Sequence, residues 1–144
     1  MSRRPGVRTG AAASLPQVYL ARDHHRSVVA GLVGDGTWTR VRPGAFVDTR
    51  MLGTTDHRRT LALARIAALR TQLTSDTVVS HTSAALLWGL PTLRTPTVTH
   101  VVQPFRARAG ASPDVVRHRL ELTPVDVVVL GGIRATSLER TVLD

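Results

Sequence analysis

A mixed helix-and-strand fold (α/β, of the α+β kind) in two parts is predicted by three observations. Segments with helical apolar spacing alternate with short β-type runs along the chain. A helical pattern over residues 24–33 runs straight into a hairpin pattern over residues 36–47, with Arg40 and Arg42 in the second. That order is the layout of a winged helix-turn-helix. The charge is also uneven: residues 1–75 hold twelve Arg against four Asp, residues 76–144 seven Arg against six acids, within a net charge of +9. The expected domains are therefore a winged helix-turn-helix over 1–50 and an α/β domain over 56–144, incomplete at its C-terminal end.

Residues 1–13 are rich in Arg, Gly and Ala and read as loosely ordered. Ser14 can cap a first short helix over 15–20, because Pro16 is tolerated in a first turn. Ala21-Arg22-Asp23 is then a tight connection, with Asp23 as the N-cap of the next helix. In that helix Val28, Val29, Leu32 and Val33 gather on an apolar arc of about 140°, with His25 inside it. Gly34-Asp35-Gly36 ends it. In the hairpin, Trp38, Val41, Phe46 and Val47 supply β-type residues and Pro43-Gly44 the turn. Arg40 and Arg42 share parity, so strict alternation points both to one face of the ribbon, opposite Val41. Trp38 and Phe46 are expected to pack beneath it.

The second part opens with the longest helical pattern, residues 56–74, capped by Thr55 or Asp56. Leu61, Ile66, Leu69 and Leu73 face a core; Arg58, Arg59, Arg65 and Arg70 lie on the remaining surface. A strand over 77–79, a helix capped by Ser80 and running to Leu87, and a strand over 97–103 follow. Residues 105–113 read as a basic loop. Val116, His118, Leu120 and Leu122 alternate with Arg117, Arg119 and Glu121, the mark of a half-buried strand. A strand over 126–130 turns at Gly131-Gly132 into 133–135. Thr136-Ser137-Leu138-Glu139 reads as a capping box for a last helix, cut short at Asp144.

Composition narrows the chemistry. All nineteen basic residues are Arg, which removes P-loop and Schiff-base lysines. There is no Cys, so no disulfide, zinc ribbon or thiol nucleophile. Ser2-Arg3-Arg4 is followed by Pro5-Gly6 and no apolar run, so no export signal is read, and a cytoplasmic location is expected. An excess of positive charge favours an anionic partner, with nucleic acid ahead of a membrane.

Three segments together resemble one family. They are Gly36-Thr37-Trp38-Thr39-Arg40-Val41-Arg42-Pro43-Gly44-Ala45-Phe46, then Ser80-His81-Thr82-Ser83-Ala84-Ala85-Leu86-Leu87-Trp88-Gly89-Leu90, and finally Gly132-Ile133-Arg134-Ala135-Thr136-Ser137-Leu138-Glu139-Arg140-Thr141-Val142-Leu143-Asp144. In this order they are similar to the AbiEi-type antitoxins and related actinobacterial regulators, here in a C-terminally shortened form. The resemblance implies a winged helix-turn-helix that binds inverted repeats at its own promoter. It also implies an α/β domain linked to neutralising a nucleotidyltransferase-like toxin.

The expected function is accordingly a DNA-binding transcriptional regulator, an autorepressing antitoxin that acts by occlusion and carries out no catalysis. Its partners would be operator DNA, a second copy of the chain if the operator is an inverted repeat, and the cognate toxin. Base edges are read from the N-terminal turn of a helix in the major groove. His24, Arg26 and Ser27 stand there, Arg22 in the connection before them is counted with the DNA-binding residues, and Arg40 and Arg42 on the wing would meet phosphates or the minor groove. No cofactor or metal is expected: His24 and His25 point about 100° apart on a helix, with no further donor four residues on. The first alternative is a protein-interaction module or a vestigial relative without DNA binding. The second is a small metal-independent nuclease or phosphoesterase using Ser80, His81, His100, Asp114 and His118.

Overall fold

The computed structural model describes residues 9–10, 13–53, 55–73, 77–103 and 112–144. In chain order, β1 (Thr9–Gly10) and β2 (Tyr19–Leu20) precede a 3-10 turn (Ala21–Asp23) and helix α1 (Arg26–Gly34). The hairpin strands β3 (Trp38–Arg42) and β4 (Ala45–Asp48) lead into a single-turn helix α2 (Thr49–Leu52). Then come α3 (His57–Gln72), β5 (Val78–Val79), α4 (His81–Leu87), β6 (Thr99–Val102) and β7 (Val115–His118). A second 3-10 turn (Pro124–Asp126), β8 (Val127–Leu130), β9 (Ile133–Thr136) and α5 (Leu138–Leu143) complete the series. The fold is thus a mixture of helices and sheets. The basic loop expected over 105–113 lies almost wholly outside the described residues.

Two sheets flank α3. The larger has the order β1-β8-β9-β5-β6-β7 with mixed strand directions, and the smaller is the antiparallel trio β2-β4-β3. Helix α3 belongs to both cores. Leu63, Ile66 and Leu69 enter the cluster formed with α4 and the large sheet. Ala64 and Ala68, four residues apart and fully buried, join Leu20, Val41, Ala45, Val47 and Leu52 on the small sheet. Methyl side chains at that spacing let the ribbon lie close along the helix. The arginines of α3 are less solvated than their spacing implies. Arg59 donates to the Leu86 and Leu90 carbonyls, Arg65 to Val41, and Arg70 to Gly132, over 3.2–3.5 Å.

Several sequence-based expectations are corrected. Residues 15–20 form no helix; Tyr19 and Leu20 instead pair with Phe46 and Ala45 as an antiparallel edge strand. Sheet pairing across some twenty-five residues outweighs local helix propensity here. No α-helix among the described residues therefore precedes α1, only two short strands and a 3-10 turn. At one edge of the larger sheet, Thr9–Gly10 pair in parallel with Val129 and Leu130, so part of the segment read as loosely ordered is a strand. The alternation read from Val116 onward gives way to a four-residue strand in which Val115 is the buried residue, and Leu120 is exposed. The last helix is capped one residue later than read: Ser137 accepts from the Arg140 amide, while Thr136 is buried against Thr141. Ser80 precedes α4 but makes no cap bond with its hydroxyl.

Candidate nucleic-acid interface

His25, not Asp23, is the N-cap of helix α1, and its Nδ1 accepts from the Ser27 amide at 3.2 Å. His25 is therefore exposed and stands outside any apolar arc. The helix ends at Asp35, whose carboxylate accepts from the Thr37 amide at 2.8 Å, and Gly36 then takes φ +80° to start the hairpin. The Thr37 hydroxyl and amide together hold the Asp35 carboxyl below its ordinary range. No residue of α1 is buried, and Val28 and Val33 of the expected apolar arc are themselves exposed.

An aromatic stack seats this exposed helix on the small sheet. Trp38 lies stacked between Tyr19 and Phe46, at centroid distances of 4.9 and 5.7 Å. His24 meets Trp38 edge-on at 5.1 Å. Trp38 and Phe46 are buried, as read from the sequence. Between α1 and the hairpin an open groove of about 530 Å³ remains, lined by His24, Arg26, Val29, Val33, Arg40 and Phe46 among others. Arg26 and Arg40, fourteen positions apart in sequence, thus border one groove from its helix side and its ribbon side.

The six expected contact residues do not share one fate. Arg26 and Arg40 are exposed at the groove. His24 lines it with its ring against Trp38. Arg22 is exposed, and its guanidinium donates to the Thr71 carbonyl at 3.2 Å, in the last turn of α3. Ser27 forms a 2.7 Å hydrogen bond with His25 through its hydroxyl. Arg42 turns away from solvent altogether. It donates to Asp114 at 2.9 and 3.5 Å and to Gln72, and its side chain is only 8% exposed. Gln72 in turn donates to the Pro43 carbonyl at 2.8 Å, so the turn is clamped to α3 and to the residue before β7.

The shared face expected for Arg40 and Arg42 fails because the ladder slips between them. Arg40 pairs with Phe46 and Arg42 with Ala45, which leaves Val41 as the extra residue of a bulge. A bulge resets parity, so residues two apart no longer point the same way. Trp38 and Val41 are both buried although three apart, the same break seen from the core side. Nothing in the local sequence marks that slip, since both arginines and the Pro-Gly turn suit a regular hairpin equally well.

Outside this region, four of the five residues considered for catalysis meet. His100 Nδ1 and His118 Nε2 are 2.9 Å apart, and the His81 ring stacks on His118 at 3.8 Å. Ser80 Oγ lies 2.8 Å from His81 Nδ1, whereas Asp114 is held by Arg42. The Ser-His pair is therefore backed by another imidazole and not by an acid, which is not the arrangement of a hydrolytic triad. Burial, then His118 and His81, push the His100 pKa below its ordinary value. Burial and His81 lower that of His118, opposed by the Asp144 carboxylate.

No protein-family model, no curated protein and no solved structure matches this chain. No helix among the described residues is long and apolar enough to cross a membrane.

Proposed function

We propose that this protein is a cytoplasmic DNA-binding regulator that holds a duplex against α1 and the β3–β4 ribbon and acts by occupying its site. The observation that carries the reading is the placement of Arg26 and Arg40, exposed on opposite sides of one groove in the half of the chain that holds twelve Arg against four Asp. A guanidinium at the start of an exposed helix can reach a guanine edge; one on the ribbon supplies a phosphate contact. Arg42 has no part in this, being committed to Asp114. Ser27, Ala30, Gly31 and Gly34 are small and exposed on α1, and a Cβ added at Gly31 or Gly34 would meet nothing within 4 Å. Packing within the chain gives no reason for glycine at those helical positions, whereas close approach of an outside backbone does. In the antitoxin form of the proposal, the duplex is the operator of the protein's own operon and the toxin partner is nucleotidyltransferase-like. That form rests on the family resemblance alone.

The test is a salt titration of binding to duplex from immediately upstream of the gene and to scrambled duplex. Each of Arg26→Ala and Arg40→Ala should reduce the salt slope by about one unit, and Arg26→Ala should also narrow the preference for the upstream sequence. Arg42→Ala should leave the slope unchanged while the protein is folded. Equal affinity for both duplexes would reduce the proposal to non-specific binding. Absence of binding at moderate salt would transfer the groove to the protein-interaction reading.

A further inference from the structure

We propose that His81, His100 and His118 form a three-imidazole site for one divalent transition-metal ion of the zinc type, with a fourth position open to water or an incoming donor. Each offers a nitrogen, and these atoms all lie within 4.8 Å of one another. The inference is independent of any role for α1, because the site stands in the large-sheet half of the molecule.

The fold brings the three rings together through three separate elements. β6 and β7 pair in parallel with His100 opposite Val116 and Val102 opposite His118. His100 and His118 are therefore two steps apart along one face, which puts Nδ1 of the first against Nε2 of the second. The start of α4 is stitched to the same strand. The Ser80 amide donates to the His100 carbonyl at 3.0 Å, and the His100 amide donates to Ser83 Oγ at 2.9 Å. His81 follows with φ +53°, a left-handed conformation that residues other than Gly adopt rarely and that persists where the surroundings impose it. Here it lays the His81 ring on His118.

The donor chemistry fits. Tetrahedral zinc with Zn–N bonds of 2.0–2.1 Å spaces its ligand nitrogens about 3.3 Å apart. The His100–His118 pair at 2.9 Å would open by a few tenths of an ångström, and rotation of the His81 ring would close the remainder. Metal-bound histidines donate their other N–H to a hydroxyl, carbonyl or carboxylate. His81 has that partner in Ser80 Oγ, fully buried and 2.8 Å from Nδ1, which leaves Nε2 for the metal. The Asp144 carboxylate acts electrostatically on His118 and so tempers the added positive charge. An all-imidazole set favours zinc, cobalt, nickel or copper and disfavours magnesium and calcium, which take oxygen donors. Three protein ligands, all half-buried, make an open site and not a closed structural one.

The experiment uses the full, tag-free chain stripped with a chelator, then titrated with Zn²⁺ by calorimetry and with Co²⁺ by visible absorption. One equivalent of Zn²⁺ should bind, and Co²⁺ should show the strong visible bands of a four-coordinate ion. His100→Ala and His118→Ala should each weaken Zn²⁺ binding by more than about 100-fold, and Ser80→Ala by about 10-fold. His24→Ala should leave it unchanged. Should the alanine variants fail to fold, imidazole NMR of the unaltered chain decides: of six histidines, Zn²⁺ should shift His81, His100 and His118 and leave His24, His25 and His57. No Zn²⁺ binding, binding that survives loss of His100 or His118, or shifts confined to His24, His25 and His57 would each overturn the proposal.

Discussion

Arg42→Ala should be a stability variant and not a binding variant. In the folded protein its guanidinium meets both Asp114 oxygens, at 2.9 and 3.5 Å, and also Gln72. Removing it strands a carboxylate and an amide oxygen. Breaking a fully buried ion pair in this way costs about 3–5 kcal/mol, because the surviving charge stays desolvated. Asp114 keeps 23% of its side chain in solvent, so water recovers part of that loss and about 2–3 kcal/mol is expected. For a chain of this size that is a fall in melting temperature of roughly 6–12 °C. Asp114→Asn, which retains an acceptor, should cost only about 1 kcal/mol. Urea unfolding followed by tryptophan fluorescence gives both values, and the double variant completes the cycle with a coupling of about 1–2 kcal/mol. A coupling near zero, together with a loss of duplex affinity in Arg42→Ala equal to that of Arg40→Ala, would refute the inward orientation of Arg42 and the bulge that produces it.

Other outcomes follow from the same coordinates. Gly31→Ala should raise stability by about 0.5–1 kcal/mol, because the added methyl meets nothing within 4 Å, yet weaken duplex binding if a backbone approaches that face; thermal melts and a binding titration separate the effects. Gly36→Ala, at φ +80°, should lower stability by about 1 kcal/mol in the same melts. Trp38→Ala should cost about 3–5 kcal/mol and release α1, seen as faster amide exchange over residues 26–34, since Tyr19, His24 and Phe46 all rest on that ring. The metal-free protein should lose stability as pH falls below about 6.5. His100 faces His118 and His81, and His118 faces His81 and Asp144; both have folded pKa values below the unfolded one, so the unfolded chain takes protons that the folded chain refuses. A urea midpoint that stayed flat from about pH 8 to pH 5, or an unchanged slope in His100→Gln, would contradict this.

Much of the local structure was legible because short-range rules govern it. Pro43-Gly44 and Gly131-Gly132 mark hairpin turns, and both glycines of the second take positive φ, as a two-residue turn requires. The apolar spacing over residues 56–74 belongs to α3, and Leu61, Ile66, Leu69 and Leu73 all pack in its cores. The aromatic pair Trp38 and Phe46 lies buried under the ribbon. The misreadings share one cause. Strand β2, the bulge at Val41 and the start of β1 are each decided by a pairing partner elsewhere in the chain. Periodicity within one segment carries no information on such a partner. Arg42 is the costliest example: its type and parity suited a wing, whereas a slip of one residue turned it onto a carboxylate in the other half.

The histidines make the same point in the opposite direction. His100 and His118 are eighteen residues apart, and neither spacing nor neighbours mark them as a pair. The adjacent His24 and His25 look more like a pair in the sequence, yet one is an edge contact to Trp38 and the other a helix cap. What joins His100 to His118 is the parallel register of β6 and β7, and what adds His81 is the left-handed start of α4 on the same strand. Parallel strands need a long crossover, so a donor set built across them is spread through the sequence by construction. A ligand motif confined to one helix is readable from spacing; one assembled across a parallel pair becomes visible only with the register. The same register holds the His100 and His118 nitrogens within a few tenths of an ångström of the separation a metal would need, so less of the binding energy would go into ordering that pair.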